Sequence, residues 1–258
     1  MATLRAVLFD IDDTLVATTE FAALARRNAV HAMCEAGLDH PEDEVYAELL
    51  EVIREFSSNY GGHFDRLLIR LPNSALEGVN PALVLAAGVV AYHDTKFRGI
   101  DPFDDVVPLM EALHDAGIII GVITHGLTIK QAEKILRLGL VHLIDPAAIF
   151  ISDQIGISKP NPKLYTTALK RMGLSPEEAL YVGDNLEHDI APAKSLGMHT
   201  AWSTRAAKPG QNTAIVADHT IADFRELAET LPNQGHYFNG DRLPKRFTPA
   251  GPDHAQIA

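Results

Sequence analysis

Short apolar runs alternate along this chain with longer amphipathic stretches that begin and end on recognisable punctuation. Ala6-Val7-Leu8-Phe9 is β-prone and gives way at once to Asp10-Ile11-Asp12-Asp13, as expected of a buried parallel strand whose C-terminal end meets solvent. Runs of the same kind recur at residues 118–123, 149–151, 180–182 and 199–202. Between them, Asn161-Pro162 supplies a helix start, Leu164, Tyr165, Ala168, Leu169 and Met172 an apolar face, and Gly173 a stop. Residues 105–116, closed by Gly117, read the same way, with Val106, Leu109, Met110 and Leu113 facing inward. Thr128-Ile129-Lys130-Gln131 has the form of a capping box. Five strands joined by crossover helices predict an α/β fold, a doubly wound parallel sheet covered on both faces.

The spacing of these signals is uneven. Roughly a hundred residues separate the first strand from the second, against the ~30 that a simple βαβ unit occupies. Residues 18–37, 41–57 and 81–97 read as helices with no strand pattern between them. The sequence therefore predicts a core of residues 1–16 and 100–231 and an inserted helical cap over 17–99. Prolines and glycines break any periodicity after residue 231, so 232–258 is expected to be a flexible or surface-lying tail.

Composition narrows the partners. The chain has 258 residues and a formal net charge of −12, which repels a polyanionic backbone and disfavours nucleic acid. No apolar run approaches the about 18 residues a membrane span needs, and the N-terminus lacks signal-peptide features, so a cytoplasmic protein is expected. A single cysteine, Cys34, forms neither an internal disulfide nor a thiolate metal cluster. A phosphorylated small molecule remains an acceptable partner only where a metal ion or a local Lys or Arg reverses the field.

Polar groups cluster just beyond the predicted strands, where open parallel sheets bind ligands. They are Asp10 and Asp12, Thr124, Lys159, and Asp184 with Asp189. In this order they resemble the haloacid dehalogenase superfamily, whose pattern is Asp-x-Asp-x-Thr after an apolar strand, a Ser or Thr after a second, a Lys, and Gly-Asp-x-x-x-x-Asp after another. Here these are Asp10 to Thr14, Thr124, Lys159, and Gly183-Asp184 through Asp189.

The resemblance implies a Rossmann-like core and a Mg²⁺-dependent phosphatase acting on a small phosphorylated metabolite. A phosphomutase, or a phospho-accepting or non-catalytic protein, is the alternative. Dehalogenation is disfavoured because it has no use for the second acid, Asp12. In the implied chemistry Asp10 attacks phosphorus and forms an aspartyl-phosphate. Asp10, Asp184 and the backbone carbonyl of Asp12 ligate the metal. Asp12 protonates the leaving oxygen and then activates water. Thr124 and Lys159 meet the phosphoryl oxygens, and Asp189 orients a metal-bound water or Lys159. His125 stands where the family commonly has Asn and is expected to be structural or solvent-facing. In the insert, Tyr60, His63, Arg66, Arg70, Lys96 and Arg98 are candidates to meet the rest of a substrate, although surface roles and local ion pairs are the stronger expectation. The pattern does not specify an oligomeric state.

Overall fold

Four consecutive apolar residues, Ala6–Phe9, form the central strand β1, every one of them buried. A strand covered on both faces has no polar side to alternate with, which is why the run is continuous. The structure is a computed structural model that describes residues 4–57 and 60–231. The expected tail, 232–258, lies outside the described residues. In chain order β1 is followed by helices α1 (Thr18–Glu35), α2 (Glu42–Phe56), α3 (His63–Arg70) and α4 (Pro81–Arg98). Then come α5 (Val106–Asp115), β2 (Ile119–Thr124), α6 (Thr128–Arg137), β3 (Ile149–Ile151), α7 (Ser152–Ile155) and α8 (Pro162–Met172). The described chain closes with β4 (Ala179–Gly183), α9 (Ala191–Ser195), β5 (His199–Ser203), β6 (His219–Ile221) and α10 (Phe224–Thr230).

The sheet order is β3-β2-β1-β4-β5-β6, and every pairing is parallel. β1 lies between β2 and β4, with Ala6 opposite both Ile119 and Ala179. Strand order reverses there, so the crevice beyond the end of β1 is where a ligand site is expected. Six strands replace the five predicted. The additional one, β6, is three residues long, lies at the sheet edge and buries only Ile221 fully, so no apolar run announces it.

Helix punctuation largely follows the sequence. Asn161 caps α8 by accepting from the Lys163 N–H at 3.0 Å, and Gly173 takes the left-handed conformation that ends it. The capping box at Thr128 does not form. Thr128 donates its N–H and hydroxyl to Asp153 Oδ2, at 2.9 and 2.6 Å, and Gln131 turns its amide away from its own helix end.

The chain divides into two compact units, one made of residues up to Ala17 and from Asp101 onward, the other of Thr18–Ile100. Among its described residues the second unit has helices and no strand, with its own core of Val30, Met33, Leu38, Val45, Leu49, Leu67, Leu71, Ala75 and Val84. Helices α1 and α4 approach closely at Gly88, where a Cβ would sit 2.7 Å from both Cγ and Sδ of Met33. Several polar residues singled out in this unit make local contacts. Arg70 donates to Glu48 at 3.1 Å and pairs with Glu55, Arg66 Nε donates to the Tyr60 hydroxyl at 3.1 Å, and Lys96 lies 5.4 Å from the Tyr92 ring centre. The ring of His63 lies 2.8 Å from the Ser57 carbonyl oxygen, and the Arg98 side chain is outside the described residues. No helix among the described residues is long and apolar enough to cross a membrane.

Candidate active site

The turn after β1 begins with Asp10, whose N–H donates to the Val182 carbonyl at 2.9 Å and so keeps it tied to β4. The chain then folds back. Asp13 adopts a left-handed conformation with φ 57°, and its N–H donates to Val16 at 2.9 Å. Asp is among the few non-glycine residues that tolerate this region. Asp10 and Asp12 thus both precede a short turn, Asp13 to Val16, that its own backbone closes.

Lys159 is the hub of the buried part. Its ammonium donates to Asp10 Oδ1 at 2.8 Å, to Asp189 Oδ1 at 2.7 Å and to the Tyr181 hydroxyl at 2.7 Å. An ammonium has three N–H donors, and all three are taken. Tyr181 in turn donates to the Ile123 carbonyl at 2.8 Å, which ties the hub to β2. Burial opposes the charge on Lys159, but the carboxylates of Asp10 and Asp189 outweigh it and hold the ammonium above its ordinary range.

Around this lysine, carboxylate oxygens of Asp10, Asp184 and Asp189 lie within 4.8 Å of one another, and all three residues are buried. Gly183 makes that possible, since a Cβ there would fall 2.5 Å from Asp189 Cγ. The Asn185 N–H donates to Asp189 Oδ2 at 3.0 Å. The carbonyl of Asp184 accepts from Trp202 Nε1 at 2.8 Å and from Gln211 Nε2 at 2.9 Å, which anchors that residue to β5 and the segment after it.

Three carboxylates against one ammonium leave uncompensated negative charge in a desolvated place. Burial pushes Asp10 up to about 7, a rise that Asp189 and Asp12 reinforce and Lys159 opposes. Burial first, then Asp189 and Asp10, push Asp184 up to about 8. A hard divalent cation with oxygen ligands fits this donor set and restores the balance.

Asp12 meets a different element. Its Oδ1 pairs with Lys134 and its Oδ2 accepts from Gln131 Nε2 at 3.0 Å, both on α6. The same Gln131 amide group donates to the His125 carbonyl at 2.9 Å, while its Oε1 accepts from the Thr124 hydroxyl at 3.4 Å. His125 is exposed, with Nδ1 2.7 Å from the Ser158 hydroxyl and 3.3 Å from that of Ser152. Its pKa is lowered by partial burial, then by Lys159 and His188.

The geometry therefore gathers Asp10, Lys159, Asp184 and Asp189 into one buried cluster, with Asp12 and Thr124 joined through Gln131. Sequence reasoning missed Tyr181, Trp202, Gln211, Gln131 and Lys134. Tyr181 and Trp202 read as ordinary strand residues. Gln131 and Lys134 left a faint signal, being polar residues three apart on the side of α6 that also buries Ile135.

A model of haloacid dehalogenase-like hydrolases matches residues 4–197. The chain belongs to this family. Among its relatives, a protein of Methanopyrus kandleri named glyceraldehyde 3-phosphate phosphatase is 48% identical over 88% of this chain and 97% of its own length. A protein of the same name from Methanocaldococcus jannaschii is 37% identical over 89% of this chain and 98% of its own. Among solved structures, a HAD phosphatase from Thermococcus onnurineus superposes with a TM-score of 0.63 at 26% identity, covering 89% of this chain and 98% of that one. The six-stranded parallel sheet with flanking helices is the fold of this family, and the chain is an enzyme of the phosphatase kind within it.

Proposed function

We propose that this phosphatase is Mg²⁺-dependent, hydrolyses small phosphomonoesters through an aspartyl-phosphate on Asp10, and takes glyceraldehyde 3-phosphate as substrate. The observation that carries the reading is the buried cluster in which Lys159 holds Asp10 beside Asp184 and Asp189. The substrate rests on relatives of that name that match nearly the whole chain.

Asp10 Oδ2 attacks phosphorus while Oδ1 stays on Lys159, which favours the ionised carboxylate against its burial and orients the free oxygen. The P–O bond to the substrate breaks as Asp12 passes a proton to the departing oxygen. Asp12 then takes a proton from the water that attacks the aspartyl-phosphate, which releases phosphate and regenerates Asp10. Thr124, at the end of β2, can turn its hydroxyl from Gln131 toward a phosphoryl oxygen. The charge of Lys159 stabilises the oxygens without leaving Asp10. Asp10 and Asp184, with the Asp12 carbonyl, would hold Mg²⁺, and Asp189 would keep Lys159 and the metal ligands in register. When bound, the cation supplies charge neutralisation that lets a phosphate dianion approach a carboxylate. The helical unit of residues 17–99 serves as the cap that selects the rest of the substrate, in a cytoplasmic enzyme that binds neither nucleic acid nor membrane.

The test is a release assay with glyceraldehyde 3-phosphate and para-nitrophenyl phosphate, with Mg²⁺ and with excess chelator. Turnover of both in Mg²⁺ only, with clear preference for the sugar phosphate, is expected. Full activity in chelator contradicts the metal assignment. Phosphate transferred back to substrate without release indicates a mutase.

A further inference from the structure

Gln131 has the sequence position to cap its own helix and does not do so. Its side chain is 4% exposed and reaches across to three other groups. One Nε2 hydrogen goes to Asp12 Oδ2 at 3.0 Å, the other to the His125 carbonyl at 2.9 Å, and Oε1 receives the Thr124 hydroxyl at 3.4 Å. The two acceptors on one side and the hydroxyl on the other fix which end of the amide is nitrogen. Room for it comes from Gly126, where φ is +142° and a Cβ would lie 2.6 Å from Nε2. One turn along the same face, Lys134 holds the other oxygen of Asp12.

We propose that Gln131 is the positioning residue for the acid–base work of Asp12, resting on the role given to Asp12 above. That carboxyl must give a proton to the leaving oxygen and later take one from water while its reach and direction stay the same. The two contacts on it differ in kind. Lys134 reaches Asp12 on a long rotatable stem in a partly exposed pair. Gln131 is buried and its other polar atoms are tied to His125 and Thr124, so its direction is fixed. It donates to a carboxylate oxygen and, more weakly, to the carbonyl oxygen of a carboxylic acid, so the contact can be kept in both states. Because the same amide binds Thr124 and the His125 backbone, it sets the acid against the phosphoryl-binding end of β2. Gln131 touches no reacting atom and acts through Asp12.

The experiment measures single-turnover phosphorylation in Mg²⁺ with an alkyl phosphate, glycerol 3-phosphate, and with para-nitrophenyl phosphate, whose leaving group needs no proton. Wild type, Gln131→Met, Asp12→Ala and the double variant are compared. Gln131→Met should slow the alkyl phosphate by about tenfold, as a share of what an acid supplies, leave the aryl phosphate and both KM values near wild type, and add nothing in the Asp12→Ala background. Equal slowing of both substrates, or the same loss with Asp12 already removed, overturns the positioning role while leaving Asp12 as the acid. Asp12→Ala that shows no dependence on leaving group overturns the reading of Asp12, and the role of Gln131 with it. If Gln131→Met does not fold, Gln131→Glu, which replaces the N–H donors facing Asp12 by a carboxylate, is held to the same comparison.

Discussion

Asp10 and Asp184 carry the clearest consequence at the scale of single residues. Both carboxyls rise from an ordinary 3.8, to about 7 and about 8, because burial disfavours their charge. A carboxyl that binds its proton more tightly when folded stabilises the fold below its unfolded pKa and loses that contribution as pH rises through its folded value. Metal-free protein should therefore melt at progressively lower temperature between about pH 4 and pH 8. Added Mg²⁺ should raise the melting temperature, and more at pH 8.5 than at pH 6, as thermal scans in chelator and in Mg²⁺ would record. A Mg²⁺ effect independent of pH contradicts the assignment of these ligands. Tyr181→Phe removes the hydroxyl that accepts from Lys159 and donates to Ile123, so the melting temperature should fall by the equivalent of about 1–3 kcal/mol, with a lower turnover rate at unchanged Mg²⁺ requirement. The candidate residues were legible only as a set in order, since singly an acid after a strand is usually a solvated turn former and a lone lysine a surface charge. Tyr181 was not, since the strand that carries it is apolar on both faces and a tyrosine there looks like core.

Among the elements, those whose ends are marked by side chains that cap locally were readable, and those stabilised from afar were not. α8 has Asn161 and Gly173 at its ends and follows the sequence. α6 does not, because the groups that would close its own cap bind Asp153, Asp12 and His125 instead. β6 is held by pairing with β5 rather than by its own apolar content. Another tie invisible in sequence joins Asp105, before α5, to Arg205, after β5. Two N–H···O contacts of 2.7 Å link them, Asp105 also accepts from the Phe224 N–H at 2.8 Å, and the guanidinium packs 4.5 and 4.7 Å from the ring centres of Phe103 and Phe224. Removing one partner of a buried pair leaves a bare charge, so Asp105→Ala should cost about 3–5 kcal/mol by denaturant titration. In the helical unit, Gly88→Val should cost about 1–3 kcal/mol by forcing α1 and α4 apart at Met33. A change below half a kcal/mol at either site contradicts the packing described.

For the molecule as a whole, the proposed mechanism must bring an anionic substrate to a carboxylate in a protein of net charge −12. On the proposed reading the parallel sheet answers this by converging, at the end of β1, Lys159 and a set of carboxylates that could hold a cation. In the long interval between β1 and β2, free of strand signals, residues 17–99 read as three helices; the described residues there form four α-helices, α3 being missed because it is only eight residues long. The most direct test of the account is acid quenching during turnover of glyceraldehyde 3-phosphate in Mg²⁺, followed by peptide mass analysis. The expected result is one phosphoryl group on the peptide bearing Asp10, sensitive to hydroxylamine as an acyl phosphate is, and absent in Asp10→Asn, which should release no phosphate. Undiminished turnover by a verified Asp10→Asn sample, or phosphoryl label on any other residue, contradicts it.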